Sequence, residues 1–142
     1  MISSSHFHPM LVHFPIALVT IGFLSELASI YIKKEACLSK LGFYLLLVGT
    51  ISALFALLSG LIFTNEMSGA AGEIMEIHEF FAYTTLSTLL VTSILRIYIT
   101  VKKIENSTLI KVAFVLYALA AISVGITGFY GGTLVFNYMM PL

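Results

Sequence analysis

Four long apolar runs, each of more than twenty residues, constrain this chain more than any other feature. They place helices over about 10–32, 41–63, 77–101 and 109–131. A helix needs about 20 residues to cross roughly 30 Å of hydrocarbon, so each run is long enough to span a bilayer. Backbone polar groups in lipid must be satisfied within the segment, which makes helix the default, and no alternation of period two competes with it. Of the 142 residues, 59% are hydrophobic and only 10% charged. A water-soluble domain of this size could not hide so much apolar surface, because most of its residues would lie on the outside. The expected fold is therefore an all-α, integral membrane four-helix bundle, a single domain over residues 1–142 in contact with the lipid bilayer.

The connections orient that bundle. Lys33, Lys34 and Lys40 lie between the first two spans, while Arg96, Lys102, Lys103 and Lys111 lie at or between the last two. These are all seven basic residues, and the N-terminal segment, the loop from Thr64 to Ile77 and the C-terminal tail have none. The positive-inside rule puts the lysine loops in the cytoplasm and both termini outside, as in a multi-pass protein of the bacterial inner membrane. The first span is expected to stay uncleaved: it lacks a basic n-region, contains Pro15 and runs straight into lysines. Aromatic residues mark both interfaces, Tyr31, Phe43, Tyr44 and Tyr98 on the lysine side and Phe7, Phe14, Phe80, Phe81, Tyr83, Tyr130 and Tyr138 on the other. Zero formal net charge gives no field for nucleic acid. A lone Cys37 excludes an internal disulfide framework, a thiolate zinc cluster and covalently attached c-type haem.

Small residues suggest how the spans pack. Gly49, Ala53, Ala56 and Gly60 form one stripe on the second span, spaced to let a neighbouring backbone come close. Gly125, Gly128 and Gly131, with Gly132 beside them, lie on one slowly drifting face of the fourth span. They serve either tight packing or a flat cofactor that needs space. Glu26 and Arg96 are the two ionisable residues well inside spans, and unpaired charges there are costly. A Glu26–Arg96 pair is expected if the first and third spans adjoin; otherwise Arg96 reaches the interface.

Chemistry would have to come from histidine. His6, His8, His13 and His78 all fall on the side without lysines, and imidazole is among the commonest ligands of transition metals and haem iron. Pro9 suits a first helical position, which puts His13 one turn inside, and Pro15 can open that turn. His78 begins the third span, so two imidazoles on separate helices could hold one iron. The ordinary alternative is a set of interfacial polar groups. His8 and His13 are five residues apart, roughly 140° around a regular helix, so they share a metal only if His8 precedes the helix. On an extended segment His6 and His8 would point the same way and suit copper or zinc. All six methionines also lie on the histidine side, and thioether with imidazole suits copper. Glu66, Glu73 and Glu76 lie in the 64–77 loop, which is long enough to fold over the bundle mouth and offer an imidazole a carboxylate partner. No nucleophile triad, phosphate loop or zinc-protease motif is present, so hydrolase and ATPase readings have no support.

The opening His8-Pro9-Met10-Leu11-Val12-His13-Phe14-Pro15 and the closing Gly131-Gly132-Thr133-Leu134-Val135-Phe136, together with His78, resemble a bacterial family of predicted membrane proteins, domain of unknown function 2231. The resemblance spans nearly the whole chain, with the opening element its specific part. The tail departs from it: Phe136-Asn137-Tyr138 stands where the family usually has another glycine-containing stretch. Members look like four-helix membrane modules, sometimes joined to Rieske-type or cytochrome c-type domains. The resemblance thus implies electron transfer, a b-type haem, and His13 and His78 as ligands with His8 in reserve. These 142 residues carry no such redox domain, so the expected electron partner is a quinone or a separate periplasmic redox protein.

Three functions are therefore expected to compete. One is a small b-type cytochrome, or haem-bearing subunit of a respiratory assembly, with haem between the first and third helices and room made by the fourth-span glycines. Another is a copper- or zinc-binding membrane protein using His6 and His8. The third is a cofactor-free structural subunit of a larger membrane complex.

Overall fold

The computed structural model describes residues 7–32 and 36–139, and among them there is no strand. The helices are α1 (Phe7–Leu11), α2 (His13–Tyr31), α3 (Ala36–Phe63), α4 (Ala70–Val101) and α5 (Ser107–Leu134). A π-helical turn over Val135–Met139 continues α5. α1 and α2 form the first span, so four helical spans are long and apolar enough to cross a membrane.

Proline explains the break between α1 and α2. Pro15 has no N–H to give the Leu11 carbonyl, and its ring crowds that turn. The helix is interrupted at Val12, where longer bonds run from Val12 N–H to the His8 carbonyl (3.2 Å) and from Ile16 N–H to the Val12 carbonyl (3.4 Å).

Helix ends differ from the hydropathy boundaries because hydropathy reports the part that crosses lipid. α4 begins at Ala70, so the connection after α3 is only residues 64–69, too short for the lid-like loop expected over 64–77. Gly69, at φ 65°, supplies the left-handed backbone before that helix. α5 starts at Ser107 because the Asn106 side chain accepts from the N–H groups of Thr108 (2.9 Å) and Leu109 (3.2 Å).

Two helical hairpins, α2–α3 and α4–α5, pack most closely, and α2–α5 and α3–α4 contacts close the ring. The first and third spans therefore face each other across the bundle diagonal. Val19, Leu46, Leu89 and Tyr117 are wholly buried on the axis. Ile21, Phe55, Ile94 and Ile122 face outward and are as apolar as the core, which is the pattern lipid permits and water does not. The small-residue stripe of α3 faces the first span: a Cβ on Gly49 would stand 2.9 Å from Cγ2 of Val19. Between helices, hydroxyl pairs add hydrogen bonds, Thr50 with Ser93 (2.8 Å) and Thr85 with Ser123 (2.7 Å).

Candidate functional site

Two pairs of polar side chains reach across the diagonal, one at each end. At the lysine-bearing end, Arg96 Nη2 donates to Glu26 Oε2 at 3.0 Å, and Ser39 donates to the same oxygen at 3.3 Å. The two charges are not on adjoining helices; their length lets them meet through the centre. At the other end the imidazoles of His8 and His78 lie with ring centroids 6.3 Å apart and planes at 80°. Eighteen residues separate His8 from Glu26, and eighteen separate His78 from Arg96. That is about 27 Å of helix, close to the hydrocarbon thickness. The two spans run parallel and in register, with a polar pair near each membrane face.

The histidine pair opens into a cavity of about 600 Å³. Its floor is apolar, made by Ile16, Ala53, Leu57 and Val124, and its upper walls carry His8, His13 and His78. Each of the three rings is held by Nδ1. His78 Nδ1–H donates to the Thr127 carbonyl at 3.0 Å, and His13 Nδ1–H donates to the Pro9 carbonyl at 2.7 Å. Ser59 gives its own hydrogen to the Ala56 carbonyl (2.7 Å), so its oxygen accepts from His8 Nδ1–H at 2.9 Å. A carbonyl can only accept, so these bonds fix the tautomer and leave Nε2 with its lone pair. The imidazoles are thereby prepared as acceptors or ligands, and carbonyls and a hydroxyl hold them where a carboxylate was expected.

Glycines seat two of the rings. A Cβ on Gly60 would lie 3.1 Å from Cε1 of His8, and one on Gly131 would lie 2.9 Å from Cε1 of His78. Gly128 meets Cδ1 of Ile16 in the same way, at 2.9 Å. Gly132 lines the cavity with open space above it, whereas Gly125 faces open space without lining the cavity. The fourth-span glycines thus divide: Gly131 makes room for an imidazole, Gly128 for a helix contact, and Gly132 for the cavity.

The sequence paired His13 with His78, but the ring beside His78 belongs to His8. His13 lines the same cavity from an exposed position. His8 is helical, so the extended segment supposed for His6 and His8 is absent at His8, and His6 lies outside the described residues. Met67 and Met75 line the cavity, as do Glu66 and Glu79, whereas Glu73 and Glu76 stand on α4 away from it. Met1 and Met140 lie outside the described residues. Among the described residues, no three His, Cys, Asp or Glu side chains converge as a ready-made metal cluster. Sequence reasoning missed Ser59 and the Thr127 carbonyl, and gave Gly60 only as the end of the twelve-residue small stripe on the second span.

The model of a family described as predicted membrane protein, domain of unknown function 2231, matches residues 5–141. No curated protein and no solved structure matches the chain. The chain belongs to that membrane protein family.

Proposed function

We propose that this member of the family is a small electron-transfer protein of the bacterial inner membrane, holding a b-type haem in the His8–His78 cavity. The observation that carries this reading is the imidazole pair itself: two rings from parallel spans, each tied down at Nδ1 and each with no partner at Nε2 among the described residues. The ring centroids stand 6.3 Å apart, a separation that would leave room for one metal ion held by both imidazoles. The donor set also suits haem. A porphyrin brings four nitrogens, so two protein ligands complete the iron, whereas a structural zinc site needs four from the chain. A cavity of about 600 Å³ with mostly apolar walls is within the range of cofactor sites.

His8 and His78 are the residues that would hold the haem, and His13, the ligand that the family resemblance implied, lines the wall of the cavity. Bound haem would supply one-electron chemistry. The chain's own residues orient the two imidazoles through Ser59 and Thr127, seat them on Gly60 and Gly131, and keep water from the apolar floor. With the lysine loops in the cytoplasm, this cavity opens on the periplasmic side.

The test is the absorption spectrum of protein purified after expression with ample haem. A Soret band is expected, lost in His8→Ala and in His78→Ala and retained in His13→Ala. A folded, colourless wild-type protein would overturn the reading. A second reading has one observation in its favour, because Met67 and Met75 line the same cavity and thioether with imidazole suits copper. Stoichiometric copper without iron in elemental analysis would select it.

A further inference from the structure

Exchanging the two hairpins leaves the bundle nearly unchanged. α2 packs on α5 as α4 packs on α3, and the residues match position by position. His8 and His78 are 70 positions apart, and so are Glu26 and Arg96, the pairs that face each other at the two ends of the diagonal. The same step carries Val19 to Leu89 and Gly22 to Thr92, all buried. On the second helix of each hairpin the step is 71, and it carries Leu46 to Tyr117, Gly49 to Ala120 and Ala53 to Val124, again all buried. Bilayer thickness would give two unrelated hairpins similar lengths. It would not turn both to the same face at layer after layer, as a constant step along each helix requires.

The match extends to atoms at the site. A Cβ on Gly60 would lie 3.1, 3.4 and 3.6 Å from Cε1, Nδ1 and Nε2 of His8. One on Gly131, the counterpart glycine, would lie 2.9, 3.2 and 3.9 Å from the same three atoms of His78. Each ring thus rests the same edge on the equivalent glycine of its own hairpin. Each also gives Nδ1–H to the helix that bears this glycine, through Ser59 on α3 and the Thr127 carbonyl on α5. The cavity walls follow the same rule, since Val12 and Ala82, Leu57 and Gly128, and Leu61 and Gly132 line it in counterpart positions.

Counterparts differ where the halves must recognise each other. Two copies of Glu26, or two of Arg96, would repel across the centre, and opposite charges at this one position join the repeats. We infer that the chain is one helical hairpin repeated twice, and that its cavity is a composite site on the two-fold axis between the repeats, holding a single metal-centred group through one imidazole from each. Each hairpin carries half of the site. A ligand with two unlike ends would call for unlike walls. A metal centre between the rings meets the same donor, seated in the same way, from both sides. The internal repeat stands by itself; the metal-centred occupant rests on the haem reading.

The experiment changes counterparts in the full chain and reads two signals. Thermal unfolding of haem-free protein in detergent micelles, followed by circular dichroism, reads the repeat. Glu26→Arg and Arg96→Glu should each lower the Tm by about 10 °C or more. The double variant, with the pair reversed across the axis, should return to within about 3 °C of wild type. Gly60→Ala and Gly131→Ala press on the same edge of equivalent rings and should shift the Tm alike, within about 2 °C of each other. A double variant no more stable than the singles, or glycine shifts of opposite sign, would overturn the repeat. Haem binding reads the occupant: free imidazole should restore the Soret band in His8→Gly and in His78→Gly at concentrations within about threefold of each other. Rescue of one variant alone would overturn the composite site even where the repeat holds. A wild-type protein that binds no haem would remove the metal-centred occupant, while the unfolding results still decide the repeat.

Discussion

Replacing Glu26 and Arg96 singly and together gives the sharpest test of the bundle's diagonal. The pair is 3.0 Å apart, with side chains only 10% and 11% exposed. Coulomb's law at that distance gives an attraction of about 5 kcal/mol at an effective dielectric of about 20. Removing one partner forfeits that attraction and strands the other charge, so Glu26→Leu or Arg96→Met should each destabilise by about 3–5 kcal/mol. The Glu26 change is the harsher, because guanidinium cannot shed its proton and Arg96 Nε has no partner among the described residues. The double variant removes both charges and should return to within about 1–2 kcal/mol of wild type, since apolar residues of similar volume replace buried ion pairs well. Denaturation in mixed micelles, followed by far-ultraviolet circular dichroism on all four proteins, measures the coupling. A coupling below about 1 kcal/mol, with the double variant as unstable as the two singles added, would refute the contact. The site at the far end should be untouched, because about 27 Å of helix separates the pairs.

Two further results are expected. Gly22→Ala should cost about 1–3 kcal/mol, because its Cβ would collide with the Tyr117 hydroxyl and lie 2.8 Å from the immovable Cβ of Leu45, while Gly125→Ala meets nothing and should be neutral or stabilising in the same assay. Cys37 is exposed near the lysine-bearing end, so a membrane-impermeant maleimide should label it in inverted membrane vesicles and leave it unlabelled in intact spheroplasts; the reverse pattern would invert the topology.

What was legible in the sequence follows the range of each signal. The spans were legible because twenty apolar residues are a local, one-dimensional signal. Pro15 was legible as a break because its effect falls four residues away. The first turns of α4 were not, since 70–77 is helical without being apolar and hydropathy passes over it. The Glu26–Arg96 pair could be anticipated from the rarity of charge in lipid, yet it was tied to adjoining helices, whereas the long side chains meet across the centre. The choice between His8 and His13 turned on whether the helix starts at Pro9 or earlier. A helix that already includes Phe7 rotates His8 toward α3, where Ser59 and Gly60 receive it. Neither partner is marked in the sequence as a histidine's neighbour, because contact between spans depends on register and rotation.

The diagonal placement of both polar pairs carries a consequence for function. A contact across the centre links the two hairpins, α2–α3 and α4–α5, directly. Glu26 and Arg96 make that link at one end with a charge-assisted hydrogen bond. At the other end His8 and His78 bring their rings together but make no hydrogen bond to each other, each being bound through Nδ1 to its own neighbour, α3 for His8 and α5 for His78. The lysine-bearing end is thus fastened across the diagonal by the protein itself. Among the described residues no such bond crosses the diagonal at the histidine end, so on the proposed reading a group held by both imidazoles would join the hairpins there, and its binding would stabilise their union by mass action.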